Sequence, residues 1–192
     1  MSLEIERYQS TIVTIDVPLE NDGRAERDRA TQLTTRAALT CAAISAEPIP
    51  WLDTALVLPI QIKLVIDIGR AYGFTLTRAR ARSVALELGG AFLYGYASRQ
   101  FARGIAKITM PVVGGLVTAP VVYASTFTLG NLAERYFRAQ RDDLPPLSKE
   151  ASKEWADSLL GEGKKLAAQL TLQDLRRALE GFGRFKSTIR RR

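Results

Sequence analysis

Apolar positions recur at helical spacing along most of this chain, and one block runs almost without polar interruption. Residues 108–133, ITMPVVGGLVTAPVVYASTFTLGNLA, carry no formal charge over 26 positions between Lys107 and Glu134. As a helix rising ~1.5 Å per residue they would span ~39 Å, more than the ~30 Å hydrocarbon thickness of a bilayer. The segment is entered through Pro111 and Gly114–Gly115, is interrupted at Pro120, and continues past Glu134 into ERYFRAQR. Its length raises the question of whether it spans a membrane or forms the buried middle helix of a bundle.

The segments before it read as four further helices. The first, over 25–46, opens with Arg24, Glu26, Arg27, Asp28 and Arg29, then changes to AALTCAAISA. Ala37, Cys41 and Ile44 or Ser45 form a small-residue stripe, one turn after Leu33, that allows close backbone approach. Pro48 and Pro50 stop this helix. Asp53 is placed to cap a second helix over 54–72, closed by Gly73. Its run LVLPIQIKLVIDIG is apolar nearly all round, which implies burial on most faces. Lys63 and Asp67 lie four apart, with Arg70 three further on. They form either a buried polar relay or a solvated stripe of ion pairs worth ~0.2–0.5 kcal/mol each.

A third helix, capped by Thr75 or Thr77, ends at Gly89–Gly90. Arg78, Arg80 and Arg82 oppose the helix dipole in its first turns, which suits either an anionic neighbour or a solvated face with Glu87 nearby. The fourth, 91–108, carries Phe92, Leu93, Tyr94, Tyr96 and Phe101 at core spacing.

At the amino end, Val13, Ile15 and Val17 alternate within TIVTIDV. With no second strand to pair with, they form a loose arm or a strand lent to a partner's sheet edge. The run DDLPP, from Asp142 to Pro146, marks a boundary. After it come an amphipathic helix capped by Ser148, with Trp155, Leu159 and Leu160, and a last helix started by the Thr171/Asp174 capping box and running through Glu180. The expected fold class is all-α: a compact helical bundle around a central apolar helix (about 108–133). Residues 1–22 are an extended N-terminal arm, 23–141 the bundle domain, 142–147 a linker, and 148–192 amphipathic helices with a basic C-terminal tail.

Composition narrows the chemistry. Among 192 residues there is no histidine and a single cysteine, Cys41. That excludes a disulfide framework and a Cys/His zinc site, removes the usual general base, and favours a reducing compartment. Cys41 reads as a small buried filler. No nucleophile–base pair and no metal-ligand spacing is visible, so no catalytic, cofactor-binding or metal-binding residue is assigned, and the chain is expected not to be an enzyme. Charges throughout residues 1–20 leave no apolar core for a secretory signal. The net charge is +7, and residues 181–192 supply five positive charges and no acid.

The blocks PIPWLD, QIKLVIDIGRAYGFTLT and AKITMPVVGGLVTAPVVYASTFTLGNLAERYF, in that order, resemble the bacterial domain of unknown function 697 family over roughly residues 31–138. In that family the module is often fused behind an Era-like or dynamin-like GTPase domain, or is encoded beside a GTPase. The resemblance therefore implies a helical, membrane-associated partner of a separate GTPase. This chain has no phosphate-binding loop of its own. In the look-alike Gly161-Glu162-Gly163-Lys164-Lys165, Ser158 stands where the first glycine belongs and no Ser or Thr follows Lys164.

Membrane contact is favoured by length, by the small-residue face from Gly115 to Ala119, and by the tail with Phe182 and Phe185. It is opposed by Thr109, Thr118, Ser125, Thr126, Thr128 and Asn131, by two prolines, and by a mean hydropathy of −0.04. Helix-packing or membrane positions are therefore Pro111, Gly114, Gly115, Ala119, Pro120 and Gly130. The candidate anionic-surface contacts are Arg184, Lys186, Arg190, Arg191 and Arg192. The expected function is a membrane-associated adaptor for a separate GTPase, cytoplasmic and at the inner face of the membrane. The alternative is a soluble scaffold subunit of a larger assembly, with homo-oligomerisation a further arrangement open to it. Nucleic acid would meet only a non-specific, salt-sensitive tail.

Overall fold

In the computed structural model, which describes residues 23–46, 52–88, 111–145 and 148–189, the regular structure is helical throughout. Side chains are described for 23–46, 56–88, 118–145, 148 and 150–181. The helices are α1 (Arg24–Ala46), α2 (Leu52–Ala71), α3 (78–88), α4 (Pro111–Arg141), α5 (Lys149–Ala168) and α6 (Leu172–Ile189). The arm with Val13, Ile15 and Val17, the stops at Pro48 and Pro50, and the expected helix over 91–108 lie outside the described residues.

α4 is the axis of the bundle. Every residue from 123 to 130 is buried, so this part of the helix has neighbours on all sides. Its hydroxyls survive there because the helix itself accepts their protons: Thr128 Oγ1 donates to the Ala124 carbonyl at 2.8 Å and Ser125 Oγ to that of Val122 at 3.0 Å. Such back-bonds remove the desolvation cost of about 1–3 kcal/mol that an unpaired buried hydroxyl carries. Thr126 instead accepts from Gln61 Nε2 of α2 at 3.0 Å, joining two helices through the core. Cys41 sits beside it, fully buried; burial pushes its thiol up from 9.0 to about 12, partly offset by the Thr126 hydroxyl. The thiol is therefore neutral and inert near neutral pH, in line with a filler role.

Three contacts fix how α1 and α4 lie together. Thr118 Oγ1 donates to the Ser45 carbonyl at 3.0 Å, Gly130 abuts Thr34, and Arg141 pairs with Glu26 at 3.4 Å. Residue numbers rise in one helix as they fall in the other, so the two are antiparallel along their whole length. α2 matches Gln61 to Thr126 and Tyr72 to Glu134 and so runs parallel to α4. α5 returns along α4, with Gly163 against Ala124, and α6 packs on α1.

Close approach is what the small residues provide. A Cβ at Gly130 would overlap the buried Thr34 side chain, and one at Gly163 would come within 2.9 Å of Ala124 Cα. Ala38, Ala42 and Ala43 of α1 meet Ala119, Tyr123 and Phe127 of α4 in a cluster with Ala156, Leu159, Ala167 and Leu175. On the other side of α4, Phe137 and Leu129 join Leu64, Val65 and Ile68 of α2 with Ala81 and Val84 of α3.

Local sequence signals set the ends. Gly73, at φ +85°, closes α2: Phe74 N–H donates to the Gly69 carbonyl at 2.8 Å and Gly73 N–H to that of Arg70 at 3.0 Å. This is a Schellman closure, and it places the Phe74 ring 5.4 Å from that of Phe137. Thr77 Oγ1 accepts from Arg80 N–H, Ser148 Oγ from Ala151 N–H, and Thr171 and Asp174 cap each other reciprocally. Two boundaries differ from expectation. α2 begins at Leu52, so Asp53 is inside its first turn rather than at the cap. α6 does not stop at Glu180 but continues through Gly181 to Ile189, because the apolar period of 172–179 carries on through Phe182, Phe185 and Ile189 and outweighs the two glycines.

The two glycines of α5 separate close contact from mere flexibility. Gly161 has nothing within 4 Å of a built Cβ, so Gly161→Ala should stabilise the fold by about 0.5–1 kcal/mol through helix propensity. Gly163→Ala should instead lose about 1–2 kcal/mol net, because overpacking against the α4 backbone exceeds that gain. Urea denaturation of the two variants, two residues apart, is expected to give shifts of opposite sign.

Candidate functional site

α1, α2 and α4 share a charge gradient. At the end where α1 finishes, the described residues Ala37–Ala46 of α1, 56–62 of α2 and 118–133 of α4 carry no formal charge. Leu58 and Pro59 are exposed there, Leu58 at 46%. The antiparallel α5 brings its last turn, with exposed Lys164 and Lys165, to this same end. Leu172, 62% exposed, follows directly at the start of α6.

The opposite end is ionic. Tyr72 donates its hydroxyl to Glu134 Oε1 at 2.7 Å, and Arg138 Nε lies 3.1 Å from the same oxygen. The Arg141 guanidinium sits 5.0 Å above the Tyr72 ring and reaches Glu26 of α1 and Asp142. Gly23, at φ +70°, leaves room for that guanidinium: a Cβ there would come within 2.6 Å of an Arg141 nitrogen. Burial, then the hydrogen bond to Glu134 and its charge, raise the Tyr72 phenol well above its ordinary value. The hydrogen bond from Arg141 holds the Asp142 carboxyl below the usual carboxylate range. The cluster ties α1, α2 and α4 together. Glu26 and Glu134 face cations and a phenol, which makes the cluster a structural clamp.

The sequence-derived positions fall as follows. Ala119 is buried among the alanines of α1, Pro120 is half-buried inside an unbroken α4, and Gly130 faces Thr34. Pro111, Gly114 and Gly115 belong to the first turns of α4; Arg184 and Lys186 belong to α6. The side chains of these five, and all of Arg190, Arg191 and Arg192, lie outside the described residues. Lys63 and Asp67 form an ion pair with Arg70 3.9 Å from the other Asp67 oxygen, and Lys63 is 55% exposed, which makes this a solvated stripe rather than a relay. Arg78, Arg80 and Arg82 are exposed. Among the described residues no cluster of His, Cys, Asp or Glu is placed to hold a metal ion.

Two functional-looking features escaped the sequence. The Glu26–Arg141–Tyr72–Glu134 clamp joins residues far apart in the chain, and no local pattern announces it. Gly163 looked like part of a failed nucleotide loop but is a packing contact. Its signal was there: Ala156, Leu159, Leu160, Gly163 and Ala167 share one face of α5 at spacings of three and four.

These features define an all-helical module built around a central helix, α4, that is uncharged as far as Ala133 and ionic beyond it. The chain belongs to the family described as domain of unknown function 697, whose profile matches residues 21–165. The match extends beyond the blocks first noticed, taking in the start of α1 and most of α5, and leaves α6 outside. The chain is 28% identical over 136 residues to magnetosome membrane protein 22 of Magnetospirillum gryphiswaldense, covering 69% of each chain. No solved structure matches it at a significant level. Among the described residues, no helix is long and apolar enough to cross a membrane.

The clamp and the exposed stripe separate cleanly by mutation. Glu134→Ala leaves the Tyr72 hydroxyl without its acceptor and Arg138 without its ion-pair partner and should cost about 2–3 kcal/mol. Lys63→Ala, removing one solvated ion pair, should change stability by no more than about 0.5 kcal/mol. Thermal unfolding of both variants measures the contrast.

Proposed function

We propose that this protein is a non-catalytic adaptor that attaches to the cytoplasmic face of a membrane and works with a separate GTPase. The observation that carries the membrane half is the charge gradient: among the described side chains, one end of the α1–α2–α4 core carries no formal charge and exposes Leu58, while the other is locked in ion pairs. Attachment rather than insertion is supported by α4: residues 123–130 of its long uncharged run are all buried, and the helix packs against α1, α2 and α5. The similarity to a protein named for the magnetosome membrane supports the same reading.

The GTPase half rests on family membership and on the chain's own lack of a nucleotide loop. Gly161–Lys165 lies inside α5, whose backbone N–H groups are engaged in helical bonds and cannot cradle phosphates. A nucleotide-driven partner would have to supply that chemistry. No residue of this chain is assigned a catalytic, metal or cofactor role.

A second reading has its own support. Continuous burial of residues 123–130 is what a soluble scaffold subunit with α4 as its core would show, and small-residue faces of this kind also suit homo-oligomers.

Flotation of the purified chain with vesicles, with and without a dynamin-like or Era-like GTPase from the same genome, tests the proposal. The expected result is co-flotation with anionic vesicles and GTPase recruitment that depends on the bound nucleotide. A chain that stays with the buffer fraction at low salt, on any vesicle, would favour the scaffold reading; vesicle binding without GTPase recruitment would remove the adaptor role.

A further inference from the structure

α3 is buried along one side only. Ala81, Val84 and Ala85 are buried and Leu88 is half-buried, which sets the helix into the core cluster with Leu64, Val65 and Ile68 of α2. The opposite side is exposed. Ala79, Ser83 and Leu86, spaced by four and three, run down its middle, and Leu86 is 58% exposed. Arg78 and Arg82 flank this line on one side, Arg80 and Glu87 on the other. Ser83 donates its hydroxyl to the Ala79 carbonyl at 3.2 Å, so the middle of the face offers small groups and one large apolar side chain.

The charge on this face has no counterpart nearby. From Ile68 to Leu86 the chain carries Arg70, Arg78, Arg80 and Arg82 and no acid. Asp67, the acid just before that run, is already held by Lys63, with Arg70 at 3.9 Å. Among the described residues, no carboxylate pairs with the guanidinium of Arg78, Arg80 or Arg82. Their placement also works against the helix. Thr77 Oγ1 accepts from Arg80 N–H at 3.2 Å and sets the start of α3, so Arg78 and Arg80 stand in the first turn, where the dipole favours acids, with Arg82 just behind. Helix stability gives no reason for three arginines here, whereas binding of carboxylates does.

We infer that the outer face of α3 is the docking surface for a partner protein, on which a segment with an apolar residue flanked by Asp or Glu lies across Ala79, Ser83 and Leu86. This rests on the partner half of the adaptor reading above and names the chemistry of that partner's surface. Arg grips a carboxylate through paired hydrogen bonds and is enriched in protein interfaces. Ala79 and Ser83 are small enough for a second backbone to come near, and Leu86 supplies an apolar anchor.

Placement and composition select the occupant. Tyr72, just before α3, bonds Glu134, so α3 starts at the ion-paired end of the bundle, opposite the uncharged end on which the membrane reading rests. Its exposed side also holds a single large apolar side chain, too few for a helix held in a lipid interface. Nucleic acid would use the arginines but meet the Glu87 carboxylate and leave Leu86 without contact.

The test uses the full chain, a dynamin-like or Era-like GTPase from the same genome, and a synthetic amphipathic helix whose leucine face is flanked by glutamates. The chain should bind the acidic helix with an affinity that falls as salt rises. Arg78→Glu with Arg82→Glu should weaken that binding, and GTPase recruitment, about tenfold or more, because like charges then meet. The double variant should keep the thermal midpoint or raise it, since acids suit the start of a helix. Arg176→Glu with Arg177→Glu, the same charge change on exposed residues of α6, should leave binding close to that of the intact chain and so separates the α3 face from net charge. Leu86→Ser should weaken the part of the binding that survives high salt. An acidic helix that does not bind, or that binds the Arg78/Arg82 and Arg176/Arg177 variants equally, would overturn the docking face. So would a parallel loss of anionic-vesicle binding in the Arg78/Arg82 variant, which would make α3 a membrane contact, or a loss of self-association, which would seat a second copy there. Binding of the acidic helix through α3 without recruitment of the GTPase would support the docking face and remove that GTPase as its partner.

Discussion

The constraint on which this structure depends is that a helix with many hydroxyls must be buried on all sides. α4 has neighbours all round from residue 123 to 130, and Thr126 and Thr128 are fully buried there. A buried hydroxyl without a partner would cost about as much as several good apolar contacts return. The sequence resolves this locally: Ser125 and Thr128 donate to carbonyls of their own helix, Asn131 donates to the Phe127 carbonyl at 2.9 Å, and Thr126 takes the Gln61 amide. The polarity that argues against a membrane span is thus absorbed inside the bundle. The other helices are arranged to make that enclosure possible.

Enclosure requires backbones to come close, and residue size sets how close. Gly130 against Thr34 brings α1 to α4, and Gly163 against Ala124 brings α5 to the other side. The alanines of α1 complete the same surface without long side chains to order, so little rotamer entropy is lost. Toward the charged end, larger groups take over: the Phe74, Tyr136 and Phe137 rings, then the Tyr72–Glu134–Arg138 and Arg141–Glu26 contacts. Small residues and ion pairs are therefore complementary solutions along one pair of antiparallel helices, not separate features.

Much of this was legible beforehand, and the reason is that it is local. The chargeless run identified the central helix, Gly73 and Ser148 marked ends by the conformations and bonds those residues favour, and Thr171 with Asp174 announced the last helix. What failed also has a local cause. The last helix was expected only through Glu180, yet helix persists to Ile189, because a stripe that keeps period outweighs propensity losses of about 1 kcal/mol per glycine at Gly181 and Gly183. Asp53 looked like a cap but lies two residues past the cap position, inside the first turn of α2. The long-range pairs were not legible at all: nothing in the neighbourhood of Thr34 says that it meets Gly130 rather than the next turn, since register is decided by the sum of many contacts. Among the candidate positions, Ala119 and Gly130 were named for smallness alone, and the structure gives each a neighbour; Gly163 needed the face of α5 to be drawn before its role appeared.

The division of labour between α4 and α6 bears on how such a module meets a membrane. A helix cannot be enclosed by its neighbours, as α4 is by α1, α2 and α5, and also present its apolar faces to lipid without giving up the enclosure. For α4 that exchange would uncover Phe127, Leu129, Leu132 and Ala133 together and separate Thr126 from Gln61. Opening the bundle would therefore forfeit core burial worth about 1.5–3 kcal/mol for each large side chain, before any return from the bilayer. α6 faces no such conflict. Its first turns have their partner in α1, and the charged residues that follow Glu180 are all cationic.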